Sequence, residues 1–211
     1  MKKLFLSLFL TAVSAVTFAQ LPTFGIRGGA NFAKLLISAD GTNLSVATGS
    51  LTTYSVGVFV DFKFGNTSFQ PALNYTGKGG SITGDGGVSG KFDLHYLQVP
   101  LNIVYHVPVI VGNIYFGAGP YVAVGVNGTT TGSDGTTTET DKVTFGGANG
   151  DLATTDIGVN GIAGFQFKGG FLIHINYDFG LTNILNTSNP ANSGGGELKT
   201  RTLGVSIGYA F

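Results

Sequence analysis

Apolar and polar residues alternate one by one along much of this chain, and residues 202–211 show the pattern most clearly. The odd positions of this stretch are Leu203, Val205, Ile207, Tyr209 and Phe211, whereas its even positions are small or polar. Period-two alternation is typical of a β-strand with one apolar face. On a terminal strand of a soluble protein such a face would favour aggregation, whereas in a membrane barrel it would face lipid.

Further stretches carry the same alternation, so the sequence predicts eight strands. They cover residues 23–32, 53–64, 67–76, 92–106, 113–126, 156–167, 171–181 and 202–211. The apolar positions of the fourth strand change phase in its middle, which predicts a β-bulge near Tyr96–Leu97. Pro71 lacks an N–H group and would weaken the ladder of the third strand, so a bulge is also expected there.

The connections between the predicted strands alternate in length. Short connections follow the second, fourth and sixth strands, and long polar connections follow the first, third, fifth and seventh. Outer-membrane barrels have this plan, with short periplasmic turns and long outer loops. We therefore expect an all-β fold, a closed antiparallel up-and-down transmembrane β-barrel of about eight strands. The longest connection, residues 127–155, has no periodicity and is interpreted as a mobile surface loop.

The composition favours the membrane barrel over a soluble one. Charged residues make up 10% of the chain, against about 25% in an average soluble domain. The polar face of the strands is rich in Gly, Ser and Thr, which suits a lumen better than a water-exposed exterior. The formal net charge is zero, so no general attraction to nucleic acid is expected. The chain has no Cys, which excludes disulfides and thiolate metal sites.

Residues 1–19 have the pattern of a signal peptide. Lys2 and Lys3 precede an apolar run, and Thr17 and Ala19 supply the small residues of a cleavage site before Gln20. An N-terminal membrane anchor is the alternative, but the apolar run is shorter than the ~20 residues that a spanning helix needs. We therefore expect export to the outer membrane, with residues 20–211 forming the barrel domain.

Three motifs resemble the PorT-like outer-membrane β-barrel family of Gram-negative bacteria. They are FGIRGGANF at residues 24–32, LHYLQVPL at residues 94–101 and YFGAGPY at residues 115–121. The resemblance spans nearly the whole mature chain and implies an eight-stranded barrel in the outer membrane. It implies no reaction. The family's namesake takes part in a protein secretion and gliding system, and the motifs do not assign that role to this chain.

The inward faces of the predicted strands carry a set of polar and charged side chains. The set comprises Arg27, Asp61, Lys63, Gln70, Asn74, Gln98, Asn102, Asn160, Gln166, His174, Asn176 and Asp178. An eight-stranded barrel is just wide enough for side chains to fill, and buried charges need partners. Arg27 and Lys63 would balance Asp61 and Asp178, which predicts a structural network that plugs the lumen. A narrow ion path or an active site is the alternative.

No catalytic, cofactor-binding or metal site is predicted. A hydrolase would need a Ser beside a His and an acid, and His95, His106 and His174 have no Ser at strand spacing on the same face. Such a set could still form between strands. Asp156 is interpreted as a loop cap.

Two loops contain residue types that could form binding sites. The loop at residues 133–141 contains Asp134, Glu139 and Asp141, whose carboxylates could bind Ca²⁺, although a solvated acidic loop is favoured. Lys78 lies in a Gly-rich stretch at residues 77–80 that lacks the spacing of a phosphate-binding P-loop and is placed in a barrel loop.

The sequence thus predicts a small outer-membrane barrel without enzymatic activity, with a structural role or with adhesion or partner binding through its outer loops. The alternatives are a lipid-modifying enzyme, a small pore or a membrane component of a secretion apparatus. Expected partners are outer-membrane lipid and lipopolysaccharide, the barrel insertion machinery and an extracellular partner of the loops. A monomer is expected, and no nucleic acid.

The last strand carries two further expectations. It should pair with the first strand and place Phe24 and Ile26 beside it on the lipid face. Its terminal Phe211, with Tyr209, resembles the carboxy-terminal aromatic signal that the insertion machinery of the outer membrane recognises.

Overall fold

A computed structural model describes residues 21–38, 45–84, 88–147, 150–186, 189 and 196–211, so the predicted signal peptide lies outside the described residues. The strands in this part of the chain are β1 (Thr23–Ser38), β2 (Ser45–Ala47), β3 (Leu51–Phe64), β4 (Thr67–Thr83), β5 (Val88–Val109), β6 (Gly112–Asp134), β7 (Thr138–Lys142), β8 (Thr155–Phe167), β9 (Phe171–Gly180) and β10 (Glu197–Ala210). Among the described residues, no helix is long and apolar enough to cross a membrane.

Within the described part of the chain, eight strands close into a ring in the order β1-β3-β4-β5-β6-β8-β9-β10, and β10 pairs back with β1. Neighbouring strands are antiparallel throughout. In the closing pair Ile26 lies opposite Tyr209, and Phe211 N–H donates to the Phe24 carbonyl at 2.7 Å. The predicted fold class and the pairing of the last strand with the first are both confirmed.

The barrel has two unlike ends. At the turn end, short turns at residues 65–66, 110–111 and 168–170 join the strands, and the first and last residues of the ring meet. At the loop end, β1, β4 and β6 extend beyond their predicted limits, to Ser38, Thr83 and Asp134. The alternation of apolar residues therefore stops well before the backbone ladder does.

These extensions correct two predictions. Residues 77–83 are paired with β5 rather than looped, and residues 129–133 pair with β7 in a hairpin. The interpretation of residues 127–155 as one irregular loop was therefore wrong. Gly and Thr in these segments satisfy the backbone ladder without apolar side chains, so the hydrophobic pattern gave no indication of them.

The prediction of a bulge in the fourth predicted strand was wrong: this strand keeps one inward phase along its length, and the extra residue of the irregularity found there lies on the neighbouring strand β6. The register shifts between His95 and Tyr96, and Val126 of β6 is the residue skipped. Leu94 and Tyr96 are consequently fully buried inside the ring. At Pro71 the prediction of a bulge was wrong, because the register of β4 with both neighbours is the same on either side of Pro71.

The two faces of the ring differ sharply. The outward face exposes large apolar side chains along every ring strand, with aromatic rings near both ends. Those near the turn end include Phe24, Phe64, Phe171, Tyr209 and Phe211, and those near the loop end include Phe32, Tyr54, Tyr177 and Phe179. The inward face is largely buried and polar. An apolar exterior around a polar interior is the arrangement of a barrel in lipid.

Candidate functional site

The interior at the loop end is closed by an apolar cluster, here called the mouth core. Its buried members are Leu35, Leu94, Tyr96, Tyr121, Ala123, Leu152 and Ile184, with Phe92, Val143, Phe145, Leu185 and Leu198 packed against them. Leu152 comes from the connection between β7 and β8, and Ile184 from the connection after β9. Single bridges tie Leu152 to Phe145 and to Leu185. The described parts of these two connections therefore fold into the mouth of the barrel rather than away from it.

An ion pair between Lys78 and Asp156 adjoins the mouth core. The Lys78 Nζ lies 2.8 Å from the Asp156 carboxylate, and both side chains are 0% exposed. The carboxylate also accepts hydrogen bonds from the hydroxyls of Thr200 at 2.8 Å and Tyr121 at 3.3 Å. The ammonium group stands 4.3 Å from the centroid of the Tyr121 ring. Full burial is tolerable here because each charge has several partners.

The sequence-based predictions for both members of this pair were wrong. Lys78 belongs to β4, where it lies opposite Leu94, and Asp156 points into the barrel from β8. A signal was present, since continuing the inward phase of Asn74 and Thr76 by one more step reaches Lys78. Lys78 was not assigned to the strand because the apolar alternation ends before it.

The middle of the interior is a hydrogen-bonded group around Asp178. Its carboxylate accepts from the Gln98 amide at 3.0 Å and also from the Asn160 amide. Asn102 in turn donates to Asn160 at 2.8 Å. These side chains come from β5, β8 and β9, so the group crosses the barrel.

Nearer the turn end, Arg27 is held by neutral groups. Its guanidinium lies 3.2 Å from His174 Nε2 and 3.5 Å from Asn74 Oδ1. Since Arg can only donate, Nε2 accepts, and the ring proton sits on Nδ1, which lies 3.0 Å from the Tyr115 hydroxyl. Among the described residues Arg27 has no carboxylate within 4.0 Å. Its pairing with an Asp, as the charge balance suggested, is therefore not found.

Next to the turn end, neighbouring strands bring Ser68, His106 and Asp61 together. The Ser68 hydroxyl is 2.9 Å and the Asp61 carboxylate 3.6 Å from the same atom, His106 Nε2. A catalytic triad needs the acid and the nucleophile on different ring nitrogens, and Nδ1 has no hydrogen-bond partner among the described residues. Lys63 completes the group at 3.9 Å from Asp61. The arrangement is that of a charge cluster rather than a hydrolase site.

The remaining predicted interior residues also lie inside the ring. Gln70 is buried, and Asn176 and Gln166 are half-buried. Two small interior cavities, of about 20 Å³ beside Asp178 and about 10 Å³ beside His106, lie among these side chains. A single water needs roughly 10–15 Å³, so each cavity suits a water molecule but not a continuous ion path.

The acidic loop forms the turn of the β6–β7 hairpin. Asp134 Oδ1 accepts from the backbone N–H groups of Thr137 at 2.7 Å and Thr136 at 2.9 Å. These bonds lower the pKa of Asp134 to about 2. Farther along, the backbone N–H of Thr144 donates to Asp151 and lowers the pKa of that carboxyl group. No group of three or more His, Cys, Asp or Glu residues that could hold a metal ion occurs in the described ranges.

The two aromatic residues of the predicted insertion signal lie outward at the turn end. The rings of Tyr209 and Phe211 are 5.2 Å apart and packed edge to face. Their recognition by the insertion machinery stays a prediction.

Comparison with known proteins gives one family. The model of a family described as "Outer membrane protein beta-barrel domain" matches residues 18–186. No curated protein matches the chain in sequence.

The chain is also similar to solved structures, of which three are described here. The attachment invasion locus protein Ail of Yersinia pestis is 15% identical, with a TM-score of 0.45 over 91% of this chain and 100% of that one. OprG of Pseudomonas aeruginosa is 17% identical, with a TM-score of 0.47 over 90% and 95%. Neisserial surface protein A is 11% identical, with a TM-score of 0.42 over 91% and 100%.

Proposed function

Because the chain belongs to the family of outer membrane protein β-barrel domains, we propose that it is a closed, non-conducting barrel that presents its loop end to an extracellular partner. The observation that carries the proposal is a contrast between two regions. The interior is filled from the mouth core to the turn end, whereas β7 is the outer strand of the β6–β7 hairpin and every one of its side chains is exposed.

The filled interior argues against a pore. An eight-stranded barrel has room for little more than its own side chains, and this one adds loop residues such as Leu152 and Ile184 at its mouth. The network that includes Arg27, Lys78 and Asp178 then serves to hold the strands in place. This structural role for the interior residues is part of the proposal.

The hairpin suits a partner with a positively charged surface. Glu139 and Asp141 project from β7, and Asp134 occupies the turn. Hydrogen bonds order the turn: Asp134 accepts from two backbone N–H groups, and the hydroxyls of Thr131 and Thr140 bond across the strands at 3.1 Å. A pre-ordered hairpin loses less conformational entropy on binding than a mobile loop.

The test is an adhesion assay with cells that display the wild type or a variant in which residues 131–140 are replaced by a Gly-Ser turn. Surfaces coated with a basic matrix protein and with albumin are compared. We expect the variant to fold but to lose the preference for the basic surface. The matched control is Glu139→Gln/Asp141→Asn, which keeps the hairpin and should weaken adhesion in part. Unchanged adhesion of the replacement variant would contradict the proposal.

We infer a signal peptide at residues 1–19, so the mature chain should begin at Gln20 when its amino terminus is sequenced. Membership of the PorT-like family is supported by the three motifs at residues 24–32, 94–101 and 115–121. A role in a secretion apparatus would require co-purification with its other components, and a lipid-modifying enzyme would require turnover of lipid A by the purified protein.

A further inference from the structure

Two positive charges lie side by side on the outer surface of the barrel at the loop end. Lys34 of β1 and Arg201 of β10 are direct cross-strand partners. Their sequence neighbours Ala33, Leu35, Thr200 and Thr202 are all 0% exposed and point inward, so the two cations point outward. On β1, Lys34 follows the outward Phe32 by two residues. On β10, Arg201 precedes the outward Leu203 by two residues. The pair therefore marks the edge of the apolar band.

Like charges directly opposite each other destabilise a sheet, so the pair needs a compensating anion. Two other outward cations, Lys91 and Lys199, have a carboxylate partner within the chain. Lys91 lies 3.3 Å from Asp93, and Lys199 is paired with Glu197. Among the described residues neither Lys34 nor Arg201 has a carboxylate within 4.0 Å.

The Arg201 side chain is already fixed in place. Its Nη1 donates to the carbonyls of Gly180 at 2.6 Å and Thr200 at 2.7 Å, and its guanidinium carbon lies 3.5 Å from the centroid of the Phe179 ring. An ordered guanidinium with N–H groups to spare is suited to a phosphate, which it can bind through two parallel hydrogen bonds.

We propose that Lys34 and Arg201 bind a phosphate of an outer-leaflet glycolipid of the lipid A class. The loop end faces outward in the proposed orientation, so the pair lies at the level of the headgroups, where clustered basic residues recognise anionic lipids. Phe32 and Leu203 lie one step nearer the middle of the barrel and Phe179 lies beside Arg201, so these three side chains provide an apolar surface for the acyl chains. The site is independent of any partner of the hairpin.

The test uses the full mature protein in mixed micelles, with native mass spectrometry as the measure of lipid binding. The probes are bisphosphorylated lipid A, phosphate-free lipid A and phosphatidylglycerol. We expect the wild type to prefer the bisphosphorylated form by about tenfold over each of the other two, since two charge-assisted hydrogen bonds are involved. Equal binding of phosphatidylglycerol would contradict the outer-leaflet assignment.

The decisive variant is Lys34→Glu, which turns the repulsive pair into an attractive one. Without lipid its thermal unfolding should occur at a temperature no lower than that of the wild type, because the introduced carboxylate would face Arg201. Its preference for the phosphorylated lipid should nevertheless be lost. The matched control, Lys168→Glu in a turn at the opposite end, should keep that preference. Retained preference in Lys34→Glu, or equal loss in both variants, would overturn the proposal.

Discussion

The two halves of the interior are closed in different ways. At the loop end an apolar cluster of loop and strand residues adjoins a fully buried ion pair, Lys78–Asp156. At the turn end the interior is closed by polar contacts, and small cavities remain between the side chains. This group, here called the lower network, comprises Arg27, His174, Tyr115, Asp61 and His106. In the upper half the charged side chains are fully buried, whereas the lower half has room for single water molecules.

This difference has an energetic consequence. In the upper half, loss of one charge leaves the other without solvent, which is the costly way to disrupt a buried pair. In the lower half, water can replace a missing partner. Substitutions of similar size should thus lower the free energy of unfolding more near the mouth core than near the turn end.

The largest effect is expected for Lys78→Met, which leaves the Asp156 carboxylate buried and unpaired. The loss should be about 3–5 kcal/mol in the free energy of unfolding, measured by urea titration of the barrel in lipid vesicles. The double variant Lys78→Met/Asp156→Asn should recover a large part of it. An equal or greater loss in the double variant would mean that the unpaired charge is not the cause.

The next effect tests the mouth core. Ile184 is fully buried, and Ile184→Ala should cost about 2–4 kcal/mol, because it removes apolar contacts and leaves a cavity. The control Ile82→Ala, on the exposed end of β4, should change the same urea titration by less than about 0.5 kcal/mol. Equal costs at the two positions would argue against a packed mouth.

A smaller effect is expected for Arg27→Ala in the lower network. The partners of Arg27 are neutral, and water can enter beside them, so the cost should be about 1–3 kcal/mol. The urea titration and the temperature of the heat-induced mobility shift on gels both report it. A loss as large as that of Lys78→Met would contradict the difference between the two halves.

The smallest effect is expected in the β6–β7 hairpin, which lies outside both halves of the interior. The pKa of Asp134 is lowered to about 2, so its contribution is present at neutral pH and is lost as the pH falls from about 4 towards 2. Hydrogen exchange of the amides of Thr136 and Thr137 should become faster over this range. Asp134→Asn should remove the pH dependence while the ring strands stay protected, and an unchanged pH dependence would exclude Asp134 as its source.

The sequence predicted the ring well because lipid imposes a strict alternation on the outward face. The strand at residues 202–211 followed from that alternation, and its pairing with the first strand followed from the closed barrel that the alternation and the lengths of the connections together indicated. The sequence pointed to Lys78 only through the inward phase of Asn74 and Thr76, because the apolar alternation of β4 ends before this residue. It did not distinguish an inward Asp156 from a loop cap, because this residue begins a predicted strand. Nor could it indicate that Leu152 and Ile184, which are isolated apolar residues in polar loops, meet in the mouth. Such contacts depend on the closure of the ring rather than on local pattern.

Contacts between loop residues and the mouth core also change the expectation for the long connection after β6. From sequence alone, removal of most of residues 129–150 should leave the fold intact. The structure divides this segment, because Val143 and Phe145 pack against the mouth core whereas β7 is exposed. Removal of residues 131–140 should therefore be tolerated, and removal that extends to Gly150 should not.

The central claim is that the barrel is sealed, and ion conductance in planar lipid bilayers tests it most directly. The purified wild-type protein should insert without sustained conductance steps, and a variant with both Leu152→Ala and Ile184→Ala should show brief, infrequent openings at most. Sustained, regular conductance of the wild type would contradict the sealed interior.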